Sequence, residues 1–84
     1  MKYIEIIFCA AWGFQTQAAS VAEEIKKQYP QVEVESVPSS GGVFDIVVDG
    51  EIIFSKEKKG FFPKKGEIVS LIAKKYGKWM RSQA

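Results

Sequence analysis

The chain has 84 residues, 46% of them hydrophobic and 26% charged, a balance that fits one soluble globular domain spanning residues 1–84 and leaves no room for two. Its apolar runs are too short to cross a bilayer, and one cysteine with no histidine excludes an internal disulfide and argues against a protein-ligated metal such as zinc. A net charge of +2 is not the profile of a dedicated nucleic-acid binder, so neither nucleic acid nor a membrane is expected as a partner.

The charge is unevenly spread. Residues 1–50 carry three lysines against seven acids, and residues 51–84 carry nine Lys/Arg against three acids. Such a dipolar layout orients partners electrostatically. Met1-Lys2 leads straight into an alternating pattern, so no secretory leader is expected and a cytoplasmic setting is.

Residues 2–8 alternate, with Ile4, Ile6 and Phe8 on one face and Tyr3, Glu5 and Ile7 on the other, which predicts a strand. Residues 14–29 predict a helix, because Ala18, Ala22, Ile25 and Tyr29 recur at helical spacing and Pro30 ends it. Residues 31–37 alternate again through Val32, Val34 and Val37, and residues 38–42 (Pro-Ser-Ser-Gly-Gly) form a loop by composition. Residues 43–48 and 51–55 read as strands around Asp49-Gly50, a hairpin turn whose two positions need positive φ. Residues 56–65 read as a basic loop with one of Phe61 and Phe62 anchored in the core. A final helix from about residue 66 to 80 carries Ile68, Leu71, Ile72, Tyr76 and Trp79 on one stripe, with Lys74, Lys75, Lys78 and Arg81 near its end.

The order is therefore β-α-β-β-β-α. A helical crossover makes the first two strands parallel neighbours, the hairpin adds two antiparallel strands, and both helices cover one sheet face. This is an α/β two-layer sandwich with a four-stranded mixed sheet of order 2-1-3-4. The other face carries Glu5, Glu33, Glu35 and Asp45 among Tyr3, Ile7 and Val47, and is expected to be wet or to meet a partner.

The chemistry-bearing position is Cys9, in Cys9-Ala10-Ala11-Trp12-Gly13 between the first strand and the first helix. Thioredoxin-like proteins keep their reactive sulfur at such a junction, in Cys-x-x-Cys form; here Trp12 stands at the second position. Only a thiolate attacks a disulfide, and the unpartnered N–H groups at the start of the following helix are the expected source of its stabilisation. The competing structural reading makes Cys9 a small buried hydrophobe at a strand end. Trp12 either shields the sulfur, stacks on a ligand, or packs beside Phe14.

Several segments together resemble the selenoprotein W-like (Rdx-type) family. They are Cys9, Phe14, Ala18-Ala19 and Ala22-Glu23-Glu24-Ile25, then Gly41-Gly42-Val43-Phe44-Asp45-Ile46, then 49–56 (Asp-Gly-Glu-Ile-Ile-Phe-Ser-Lys) and Gly60-Phe61-Phe62-Pro63. The resemblance runs over roughly residues 3–72 and implies a thioredoxin-like fold. It also implies a thiol redox role, at most a thiol-disulfide oxidoreductase-like activity, with Cys9 as the single nucleophile. Since Trp12 cannot resolve a mixed disulfide, the implied cycle is monothiol: exchange with glutathione disulfide forms a Cys9–glutathione adduct, and a second glutathione removes it. No cofactor is implied beyond glutathione as co-substrate, and the partner is glutathione or a protein thiol or disulfide. The expected contact residues are Trp12, Gly13 and the segment Gly41-Gly42-Val43, where glycines allow close backbone approach. The rival expectation is a redox-inactive protein-binding module using Trp12, Phe14 and the Gly41-Gly42 edge, or the acidic open sheet face, to hold a protein partner. The chain is expected to be a monomer or a weak homodimer.

Overall fold

The computed structural model describes the backbone of residues 3–83 and the side chains of residues 3–76. The elements run β1 (Tyr3–Cys9), α1 (Gln15–Gln28), β2 (Glu33–Ser39), β3 (Phe44–Val48), β4 (Glu51–Ser55), α2 (Lys56–Lys59) and α3 (Glu67–Gln83). The sheet order is β2-β1-β3-β4. β1 pairs parallel with β2 and antiparallel with β3, and β3 pairs antiparallel with β4. Fold class and strand order follow the sequence expectation.

Alternation in β1 sends Ile4, Ile6 and Phe8 to one face, where all three are buried. By register Ile4 stands beside Val48, Ile6 beside Ile46, and Phe8 beside Phe44. That apolar floor receives Ala18, Val21 and Ile25 of α1 and Ile68 and Ile72 of α3 in one cluster. Both long helices therefore cover the same face. Val21 takes a fully packed place and Ala22 only a partly buried one, a small rotation of α1 from the stripe expected. Lys26 Nζ donates to the Val32 carbonyl at 3.0 Å, tying the end of α1 to the start of β2, where a cation also suits the helix dipole. The expected apolar Trp79 and the basic Lys78 and Arg81 lie outside the described side chains.

Three departures from expectation have physical causes. β2 runs on through Pro38 to Ser39, pairing Phe8 with Pro38 and Cys9 with Ser39. An edge strand tolerates proline because the missing N–H would face away from its only neighbour. Residues 56–59 form a one-turn helix, closed by Gly60 at φ 84, whose N–H donates to the Lys56 carbonyl at 2.7 Å; only a residue at ease with left-handed φ ends a turn this way. α3 starts at Glu67, whose carboxylate accepts the Lys64 N–H at 2.9 Å, so Gly66 lies just outside it. At the hairpin, Asp49 at φ 48 and Gly50 at φ 87 both take the positive φ the turn requires.

The opposite sheet face has no layer over it among the described residues. Tyr3, Glu5 and Ile7 of β1 stand beside Glu33, Glu35 and Val37 of β2. The Tyr3 phenol donates to the Glu35 carboxylate. That bond above all, with partial desolvation and the charges of Glu35, Glu5 and Glu33, pushes its pKa from 10.0 up to about 12.

Two outcomes are expected. Phe44 is fully buried and contacts the rings of Phe14 and Phe62, so Phe44→Ala should cost ~3–5 kcal/mol in urea-denaturation free energy. For Tyr3, the folded chain retains a proton that the unfolded chain loses near pH 10; this contribution is complete below that pH and disappears as pH rises through about 12. An ultraviolet phenolate titration should show Glu35→Gln lowering the Tyr3 pKa toward its ordinary value. An unchanged titration would break the assignment.

Candidate functional site

β1 delivers Cys9 to the junction at which the chain turns toward α1, and backbone bonds hold it from three directions. Cys9 N–H donates to the Val43 carbonyl at 2.8 Å, and its own carbonyl accepts the Phe14 N–H at 3.2 Å. The next residue, Ala10, donates to the Ser39 carbonyl at 3.1 Å. The turn closes through Gly13 at φ 78, whose N–H reaches the Ala10 carbonyl at 3.1 Å. Gln15 Nε2 adds a longer bond to the same carbonyl at 3.4 Å. Phe14 caps α1 without a side-chain bond, and the first turn holds no acidic residue.

Cys9 is a free thiol at 0% exposure. It lies outside the main core cluster, because strand alternation turns it away from Phe8. Trp12, by contrast, is 64% exposed. Its six-membered ring lies on Gly42: a Cβ built there would sit 2.6 Å from Trp12 Cζ3 and 2.8 Å from Cη2. Gly41 and Gly42 both adopt φ 76, so two left-handed glycines carry the strap from β2 to β3 and leave the indole room to settle. Nothing lies within 4 Å of the corresponding position on Gly41.

Of the residues expected from sequence, Cys9 and Val43 are joined by a hydrogen bond and Trp12 and Gly42 by direct packing. Gly13 serves as the turn residue, and Gly41 lies open to solvent. An aromatic cluster was not foreseen. Trp12 meets Phe14 edge-on at 5.9 Å between centroids, Phe14 meets Phe62 at 4.7 Å, and Phe62 meets Phe44 at 5.2 Å. Phe62 is the anchored member of the pair in the basic segment, and Phe61 is exposed. Lys56 Nζ stands 5.7 Å from the Phe14 centroid and 5.2 Å from that of Phe62, distances at which a cation is held by ring quadrupoles. Lysine and phenylalanine spacing carries no sign of this, since the partners lie far apart along the chain.

Among the described residues, no three His, Cys, Asp or Glu side chains gather as metal ligands do, and no helix is long and apolar enough to cross a membrane. A concavity of about 490 Å³ lies between α1 and the segment after α2, lined in part by Gln17, Val21, Phe62 and Pro63. Neither Cys9 nor Trp12 lines it. A molecule reaching Cys9 therefore meets a covered strand end rather than a pocket.

A strand ending on cysteine, two glycines opposite and the Phe-Pro segment packed behind form one continuous arrangement, and residues 3–74 match the Rdx family. The chain belongs to the Rdx family. It is 33% identical over 69 residues to migration and invasion enhancer 1 of Bos taurus, covering 82% of this chain and 60% of that protein. It therefore spans about 60% of the length of that relative. Selenoprotein W of Macaca mulatta is 23% identical over 74 residues, with 83% and 85% coverage. A crystal structure of a selenoprotein W-related protein from Vibrio cholerae superposes with a TM-score of 0.80 at 24% identity, covering 86% of this chain and 94% of that one. A crystal structure of a protein from Bordetella parapertussis gives 0.79 at 29% identity, with 83% and 91% coverage.

The Trp12–Gly42 contact is open to a direct check. Gly42→Ala forces a left-handed alanine, costing ~1–2 kcal/mol, and adds overlap with the indole; Gly41→Ala carries the first cost alone. Chemical denaturation should find Gly42→Ala the more damaging, and the difference should vanish in a Trp12→Ala background.

Proposed function

We propose that this Rdx-family chain is a thiol redox protein working through the single sulfur of Cys9, with glutathione as its exchange partner and access controlled by Trp12 and the 40–42 strap. The observation that carries this reading is the placement of Cys9 at the end of β1, directly before α1, inside the segment that matches the family.

The cycle balances with one protein thiol. The Cys9 thiolate attacks the glutathionyl sulfur of a mixed disulfide, a Cys9–glutathione disulfide forms, and the original partner leaves as a thiolate. A glutathione thiolate then attacks that adduct, releasing glutathione disulfide and restoring Cys9. With glutathione disulfide itself as donor the exchange is degenerate; with the glutathione adduct of a protein thiol it is net reduction of that protein at the expense of two glutathionyl units joined as disulfide. A reducing compartment such as the cytoplasm suits this cycle. Because Cys9 is buried, each turn requires local opening, a sub-global event cheaper than unfolding. In this reading, Trp12 and the two left-handed glycines are the parts that move.

One observation favours a second reading. The sulfur is at 0% exposure and the indole at 64%, the pattern of a docking module that keeps the fold without the chemistry. In that case Trp12, Phe14 and the Gly41-Gly42 edge would hold a protein partner. Iodoacetamide labelling of the native chain, followed by mass spectrometry after incubation with glutathione disulfide, separates the two. The monothiol reading expects a single glutathionyl adduct on native protein, none in Cys9→Ser, and labelling accelerated ~10-fold or more in Trp12→Ala as opening becomes cheaper. Labelling that proceeds only at the global unfolding rate, with no adduct, would sink it and leave the docking module.

A further inference from the structure

The carboxylates of the uncovered sheet face have no part in the Cys9 chemistry. β1 through β4 contain no lysine or arginine. Register places Glu35, Glu5, Val47 and Ile52 in one row across the sheet, and Val37, Ile7, Asp45 and Ser55 in the next. Adjacent strands lie ~4.8 Å apart, so these side chains form a continuous surface. Glu5 and Glu35 are direct neighbours, and like charges placed so destabilise a sheet. The Tyr3 phenol donates to Glu35, but no cationic side chain from the strands stands among these carboxylates. The apolar members are also unusual for a face without a covering layer, since Ile52 is 58% exposed and Val37 and Ile7 are half-buried.

We propose that this face is a docking surface for a cationic polypeptide segment bearing aliphatic side chains, whose lysines or arginines sit between Glu5, Glu35 and Asp45 while its aliphatic groups cover Ile7 and Val37. Charge complementarity selects that occupant. A purely solvated face would gain from mixed charge, and an apolar partner would strand the carboxylates. The raised Tyr3 phenol fits the same negative field, as Glu35, Glu5 and Glu33 all contribute to it. Its carboxylates, Glu5, Glu35 and Asp45, take no part in the thiol exchange, so the proposal stands or falls independently of the redox reading.

The test uses fluorescence anisotropy with a fluorescein-labelled decapeptide alternating lysine and valine, and a companion in which serine replaces valine. The expected result is saturable binding of the first, at least ~5-fold weaker binding of the second, and weakening as salt rises from about 50 to about 300 mM. Glu5→Gln with Glu35→Gln should weaken binding ~10-fold or more, while Lys58→Gln with Lys59→Gln changes it less than ~2-fold. Thermal melts establish that each variant is folded, and Cys9→Ser should bind as the parent does. Amide chemical shifts should move on β1, β2 and β3. Absent binding, binding indifferent to the two glutamates, or equal binding of both peptides overturns the proposal. A concentration-dependent dimer abolished by Glu35→Lys also overturns it, by assigning the face to a second copy of the chain.

Discussion

β1 and β3 are the two inner strands of the sheet, and β1 is hydrogen-bonded to β2 on one side and β3 on the other. Everything else leans on that constraint. The buried face of β1 supplies the floor for both long helices, and its last residue has its N–H taken by Val43 and its neighbour's N–H taken by Ser39. A thiol placed there is held by backbone bonds rather than by side-chain choice. Substituting the residues around Cys9 therefore changes what covers the sulfur far more readily than where it sits. This separates position from access, and the backbone pairing of β1 determines the first.

The position of Trp12 gives the covering an internal logic. A bulky side chain three residues after the cysteine must go somewhere, and α1 begins too soon for it to point into the core, which Phe14 already occupies. Phe14 is in turn wedged by Phe62, which reaches it from beyond α2. The indole is pushed outward over backbone that lacks a Cβ, at Gly42. Lys56, over the same two phenylalanine rings, brings a positive charge to the back of the cluster. A β1–α1 junction, a β2–β3 strap and the segment after β4 thus meet through aromatic edges instead of through a hydrogen-bonded network. Such contacts are easier to open locally than a polar network whose groups must all find new partners.

Element order, sheet order and the sidedness of the sheet were legible because they follow from periodicity. Ile4, Ile6 and Phe8 alternate, Ala18 and Ile25 recur at helical spacing, and Asp49-Gly50 demands its own turn. The extent of β2 was not legible, because proline reads as a strand breaker unless the strand is already known to be at an edge. The single turn of α2 was hidden in a run of charged residues whose composition suits a loop equally well; the Gly60 cap and the docking of Phe62 decide it. For the candidate site, sequence located the cysteine and the glycines opposite it. It left open whether the sulfur is covered, since burial at the end of a strand depends on a strap from elsewhere in the chain.

The two halves of the chain carry opposite charge, and the fold turns that bias into geometry. The four strands hold acids and no cations, while α2 and the segment after it hold Lys56, Lys58, Lys59, Lys64 and Lys65. One ion pair between a strand and a helix is Glu51 of β4 with Lys75 of α3 at 2.5 Å, with both side chains about half exposed. The pairing lowers the Glu51 pKa and raises that of Lys75, but exposed pairs of this kind are screened and contribute little to stability. Charge segregation is therefore not needed to hold the fold, which rests on the apolar floor of β1 and β3. What segregation does change is the field outside the molecule, negative over the open sheet and positive around the α2 segment. A partner approaching this chain is oriented before it makes contact, and the side it meets first depends on its own sign.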